Sequence, residues 1–279
     1  MRTALIRRAT LALSATAAVC ALSTAVHAED EPASEPMRIA VPRQEPSPAA
    51  QAQHRDASID RGIGSGHAET IGKNNWTVNS YELFLIGVTY GFTEDFQLSL
   101  TTMLPVFEST PFILALAPKY VVSRSDSVVV ALRSNIWFGT DIGRGNGLGL
   151  ISVGPAVDVY FDDAGRFAFH GALSIGGVFG DGFNSGSGGF GFADGALIGL
   201  DVGFSLGLSR AFKLIIEGQF FSGYGSRGFR VAEMALVNYG VRFHNDTLAV
   251  DLAFIRPIGD FDVGGLVMGI PFVSFSSRW

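Results

Sequence analysis

The stretch ALIGLDVGFSLGLS, Ala196–Ser209, decides the fold. Ala196, Ile198, Leu200, Val202, Phe204, Leu206 and Leu208 alternate with Asp201, Gly203, Ser205, Gly207 and Ser209. Period two puts one set on each side of a sheet. The first set is bulky and apolar, the second small and polar. A soluble barrel or sandwich would carry its bulk inside; a membrane barrel carries it outside, against lipid. The polar link Arg210–Ala211 follows, and a second alternating run begins at Phe212.

The same alternation recurs in Phe96–Leu104, Val128–Phe138, Phe167–Phe179 and Leu248–Phe254. Between the runs, short polar turns take turns with longer glycine-rich links. Thr93–Asp95, Ser123–Asp126, Asp162–Gly165, Arg210–Ala211 and Asn245–Asp246 are short; Pro105–Pro111, Gly139–Gly147, Gly180–Asp194, Gly223–Arg230 and Arg256–Met268 are long. Short periplasmic turns and long extracellular loops are the pattern of an outer-membrane barrel. Strands of about 9–11 residues cross a bilayer when tilted. The reading is an all-β, membrane-spanning antiparallel up-and-down barrel of 12 strands, with 10 as the alternative. Eleven strands are readable from Val78 to Trp279, taking Val78–Phe92 as one. Single-chain bacterial barrels have even strand numbers, and closure abolishes sheet edges. A further strand is therefore expected within Ser58–Ile71, with Gly72–Asn75 as an outer turn.

The N-terminus reads as a secretory signal, residues 1–28. Arg2, Arg7 and Arg8 precede the small-residue apolar run Ala9–Val26, and Ala-Val-His-Ala ends at Ala28. The single cysteine, Cys20, lies inside it, so the mature chain has neither a disulfide nor a cysteine metal site. Residues 29–57, rich in Pro, Ala, Gln and Glu, lack the apolar surface to offset ordering entropy and read as a disordered periplasmic tail. Residues 58–279 are assigned to the barrel. A net charge of −6, more negative without the signal, argues against nucleic acid as a partner.

Aromatic residues gather at the short turns, as an interfacial girdle requires: Tyr90, Phe92 and Phe96; Tyr160, Phe161 and Phe167; Tyr239 and Phe243. The last strand, Gly269–Trp279, resembles the C-terminal assembly signal of Gram-negative outer-membrane proteins through Val273, Phe275 and Trp279; Ser277 departs from it. That resemblance implies the barrel-assembly machinery and outer-membrane lipid as partners, with both termini periplasmic. Tyr90-Gly-Phe-Thr-Glu-Asp95, Ala117-Pro-Lys119, Tyr239-Gly-Val-Arg-Phe243, Val250-Asp251 and Ile270–Phe275 resemble landmarks of a family of uncharacterised bacterial outer-membrane barrels. The family implies a fold and supplies no activity.

Function must come from the inner face. Lys119, Arg133, Asp158, His170, Asp201, Lys213, Glu217, Arg242, Asp251 and Arg278 point inward on parity. Asp158 with His170, and Arg242 with Asp251 and Glu217, are expected as near neighbours. The small Gly, Ala and Ser lining favours a porin-like channel for small polar solutes or ions. Mutual charge satisfaction favours a closed, salt-bridged scaffold or surface-interaction barrel instead. A hydrolase built on Asp158, His170 and Ser174 is disfavoured, because His170 and Ser174 lie about 13 Å apart at strand rise. No zinc-type ligand cluster and no phosphate loop is legible. The glycine-rich stretch Gly188–Asp194 matches a calcium-binding repeat only once and imperfectly, so no cofactor or metal is assigned.

Overall fold

The computed structural model describes residues 56–82, 85–103, 112–140, 147–162, 166–180, 195–225, 228–259 and 268–279. The signal, most of the tail and the stretch Gly188–Asp194 lie outside the described residues.

Twelve strands follow in chain order: β1 Trp76–Tyr81, β2 Leu85–Gly91, β3 Phe96–Met103, β4 Phe112–Arg124, β5 Val128–Thr140, β6 Gly147–Tyr160, β7 Phe167–Gly180, β8 Gly195–Ser209, β9 Phe212–Gly225, β10 Gly228–His244, β11 Leu248–Gly259 and β12 Ile270–Arg278. Each pairs antiparallel with its sequence neighbours, and β1 pairs with β12 to close the barrel. Trp76 and Trp279 exchange backbone hydrogen bonds of 2.8 and 3.0 Å at the seam. Closure leaves no edge for another chain to extend.

The alternation produces a wall with two chemistries. Leu200, Phe204, Leu206, Ile216, Leu252 and Phe275 are all exposed on the outer surface. An apolar exterior of this extent is a lipid-facing surface. The short links between β2 and β3, β4 and β5, β6 and β7, β8 and β9, and β10 and β11 share one rim. Aromatic pairs mark that rim: Trp76 with Tyr90 at 4.4 Å, Phe161 with Phe167 at 4.9 Å, and Phe212 with Phe243 at 5.1 Å.

The strand count of twelve holds, but the missing strand is not where parity placed it. Val78–Phe92 is broken at Glu82, which turns with a φ of 51° and lets β1 and β2 pair. Alternation survives the turn, because Tyr81 and Leu85 face each other on the same side of the sheet. Ser58–Ile71 belongs to no strand. Its glycine-rich backbone finds partners among side chains inside the barrel instead of in a ladder. Gly72–Asn75 accordingly sits at the short-turn rim, where Asn74 donates its N–H to Gly91 O at 2.7 Å.

Candidate functional site

Residues 56–75 form a U-shaped plug in the half of the lumen next to the short turns. The segment enters where Ala57 donates to Asn245 O, in the β10–β11 turn. Its tip, Ile63–Gly64, reaches the level of Gln219 and Asn238, mid-way along β9 and β10. It returns to the same rim, where the Thr70 hydroxyl donates to Glu94 O in the β2–β3 turn at 2.5 Å. An isolated bridge between Arg61 and Gly66 closes the bend. Gly64 is the one exposed residue between 56 and 72, at the tip of the plug.

The charged wall residues hold this segment chiefly by its backbone. Glu217 accepts from the N–H groups of Ile63, Gly64 and Ser65 at 3.1, 2.9 and 3.2 Å. Asp158 accepts from Ala68 and Glu69 at 2.9 and 3.1 Å. Lys119 donates to the carbonyls of Asp60 and Glu69 at 2.8 and 2.7 Å. Arg133 donates to Gly66 O at 2.8 Å and pairs with Asp201. Arg242 is fully buried; it donates to Ser58 O, Arg61 O and Gly62 O, each at 2.9 Å, and forks onto Asp251 at 2.5 and 3.0 Å. Asp251 also accepts from Ser274 at 2.6 Å and lies 3.7 Å from Arg61. Lys213 pairs with Asp56. Arg278 differs: it stands at the rim, opposite Thr77 of β1. Hydrogen bonds to charged groups contribute about 1.5–3 kcal/mol each, so the wall charges bind the plug more than they bind one another.

Sequence reasoning brought out the wall and missed its occupant. Gln97 accepts from Ile71 N–H at 2.9 Å and donates to Asp60 at 3.0 Å; Arg124 pairs with Glu69 at 3.0 Å. The available signal was the polar run Asp60-Arg-Gly-Ile-Gly-Ser-Gly-His67. Its glycines permit close approach: a Cβ on Gly62 would lie 1.4 Å from Glu217 Oε1. Burial alone would raise the Asp56 carboxyl, but Lys213, Arg242 and His244 hold it far below the usual carboxylate range. Burial pushes Glu69 up, against the opposing pull of Arg124. Burial, aided by His170, pushes the His67 imidazole well below its ordinary value.

His67 lies flat on His170, ring centroids 3.6 Å apart and planes 1° from parallel. His170 donates from Nδ1 to Asp158 at 2.9 Å, and its Nε2 lies 3.1 Å from the Ser205 hydroxyl. The serine completing an Asp–His–Ser chain is thus Ser205, while Ser174 points to Gly199 O at 3.4 Å. The chain has relay connectivity without a reaction space. His67 covers the imidazole, and Ser205 is buried. Ligand atoms of His67, Asp158 and His170 also fall within 4.8 Å of one another. A metal ion lies in the plane of each imidazole it binds, and the parallel planes of two stacked rings share no such point. The arrangement seen is a stacked pair of imidazoles.

Past the plug tip the inner face changes from polar to apolar. Tyr81 faces Leu85, and Leu85 faces Met103. Trp137 faces Leu150, and Leu150 faces Val178. Ile113, Leu197, Phe221, Leu236, Ile255 and Phe272 continue the belt, each within two residues of register of the next, as tilted strands require. Phe272 meets Tyr81 at 6.2 Å and closes it. Every strand contributes one apolar or aromatic side chain.

No family model matches the chain, and no curated protein does. Among solved structures, a bacterial polysaccharide outer-membrane secretin shares 11% identity over 75% of this chain and 76% of its own, with a TM-score of 0.48. The NanC porin shares 8% over 73% and 97%, at 0.43. The KdgM porin, solved in complex with disordered oligogalacturonate, shares 8% over 74% and 96%, at 0.42. These are likenesses of fold. The closed antiparallel wall and its apolar exterior define an outer-membrane β-barrel.

Proposed function

We propose that the protein is an outer-membrane channel for small solutes, closed in this state by residues 56–75 docked from the periplasmic rim. The short-turn rim is the periplasmic one, and Val273, Phe275 and Trp279, all exposed on the outer face of the last strand, are presented to the assembly machinery. The observation that carries the reading is the mode of closure. Ionic and backbone hydrogen bonds hold a loop with both feet at one rim, so it can leave without threading. Small lining residues such as Ala131, Ala156 and Ala172 leave a path once it does. The permanent-scaffold reading draws on the complete burial of Arg242 and Asp251.

Planar-bilayer recording separates the two. The full chain should conduct rarely. An Asp158→Asn/Glu217→Gln variant, which weakens five backbone contacts to the plug, should show frequent openings. If that variant folds, judged by heat-modifiable gel migration, yet stays silent, the barrel is a closed scaffold.

A further inference from the structure

The lumen of a channel for polar solutes is expected to be polar. Here the polar half is filled by the plug, and the other half, into which no plug residue among those described extends, is ringed by apolar side chains from all twelve strands. Trp137 leaves 40% of its surface exposed on the inner face, and Gly64 is exposed at the plug tip. Solvent-accessible space therefore lies between an aromatic wall and the plug. The plug adjoins this belt directly: Ile63 belongs to one packed cluster with Ile215, Ala253 and Phe272. At the junction Asn238 is buried, and its Oδ1 lacks a hydrogen-bond partner among the described residues. Leu236, two residues away on the same inner face, is part of the belt.

We infer that this belt is a binding site for a small apolar solute carrying a hydroxyl or similar donor. Its hydrocarbon part is removed from water against Trp137 and Phe221, and its donor satisfies Asn238. The inference assigns a solute class to the channel proposed above and rests on that reading for the solute's route, not for the site itself. Sugars and free ions find few partners in the belt, because desolvated polar groups there go unpaired.

Cyclohexanol and myo-inositol share one ring size and differ in polarity, and neither absorbs where tryptophan emits. Refolded full-length protein in nanodiscs is titrated with each while its fluorescence is followed, against empty nanodiscs as blank. Cyclohexanol should give a saturable emission shift that disappears in Trp137→Phe, since Trp76 and Trp279 stand at the short-turn rim. Leu236→Asn, with gel migration as its folding control, should weaken the apparent affinity at least tenfold. Myo-inositol should produce no shift. A non-saturable response, an equal response to myo-inositol, or full affinity in folded Leu236→Asn would overturn the site. Binding seen in a barrel that never conducts would instead sink the channel reading and leave the site standing.

Discussion

Arg242 shows how much one residue carries. Its guanidinium joins the barrel wall, through Asp251, to three carbonyls of the plug. Replacing it by alanine leaves the buried Asp251 carboxylate without its forked partner, and such losses cost about 3–5 kcal/mol. Urea unfolding of Arg242→Ala in detergent should show a loss of that size; a loss below about 1 kcal/mol would contradict the assigned role. His67 makes docking depend on pH. It is neutral when docked, because burial and His170 depress its pKa, and titrates near 6.5 once released. Between those values the released plug binds the extra proton, so docking weakens as pH falls through about 6.5, by at most about 1.4 kcal/mol per pH unit. Asp56, depressed by its cationic neighbours, acts with the same sign below about pH 4. Glu69, raised by burial, opposes both: the docked state holds its proton more tightly, so its contribution to docking falls as pH rises through its docked pKa. Lys213, Arg242 and Asp158 supply the surrounding charge, and the His170 ring lies against His67. Protease sensitivity of the plug should be higher at pH 5.5 than at pH 7.5, and His67→Phe should flatten the difference. Equal sensitivity of the wild type at both values would remove His67 from the mechanism. The charges of the wall were legible in the sequence because parity sorts them. Their partners were not, because backbone carbonyls and N–H groups leave no mark in a sequence.

At the level of elements, wall and plug obey different rules. The strands were legible because lipid on one side and lumen on the other impose period two. Leu200 lies on the lipid face near mid-strand, and Leu200→Lys should destabilise assembly by about 2–4 kcal/mol, measured as a lower urea midpoint for the folded band. The plug has no such period. Its glycines and mixed charges mimic a loop, and a parity argument pressed them into a strand. Glu82 hid for a related reason: a turn that returns the chain in register keeps the alternation intact on both sides. Gly62→Ala tests the plug without altering the wall. A methyl group there meets the Glu217 carboxylate, so this variant should conduct more often than wild type in the same bilayer assay, with an unchanged urea midpoint for the barrel. Unchanged conductance would mean that the tip is not what closes the lumen.

Among the described residues the lumen is divided into a polar half occupied by the plug and an apolar half beyond the plug tip. The sequence reading sorted the charges onto the inner face and weighed the lumen as one compartment. Each belt residue, seen alone, is an ordinary inward Leu, Ile or Phe near a strand end. Only the registers of all the strand pairs show that they meet.

The U shape of the plug has a mechanical consequence. A pull on the chain ahead of Asp56 loads its contacts in series, as in a zipper, first at Lys213 and Asn245 and then at Ser58 and Arg61. The force required is that of the next contact, not of the whole set. The other foot stays tied to the wall at Trp76. In the proposed channel a withdrawn plug would remain a tethered ligand at an effective concentration on the order of millimolar, and would reseal its own barrel once the pull ends.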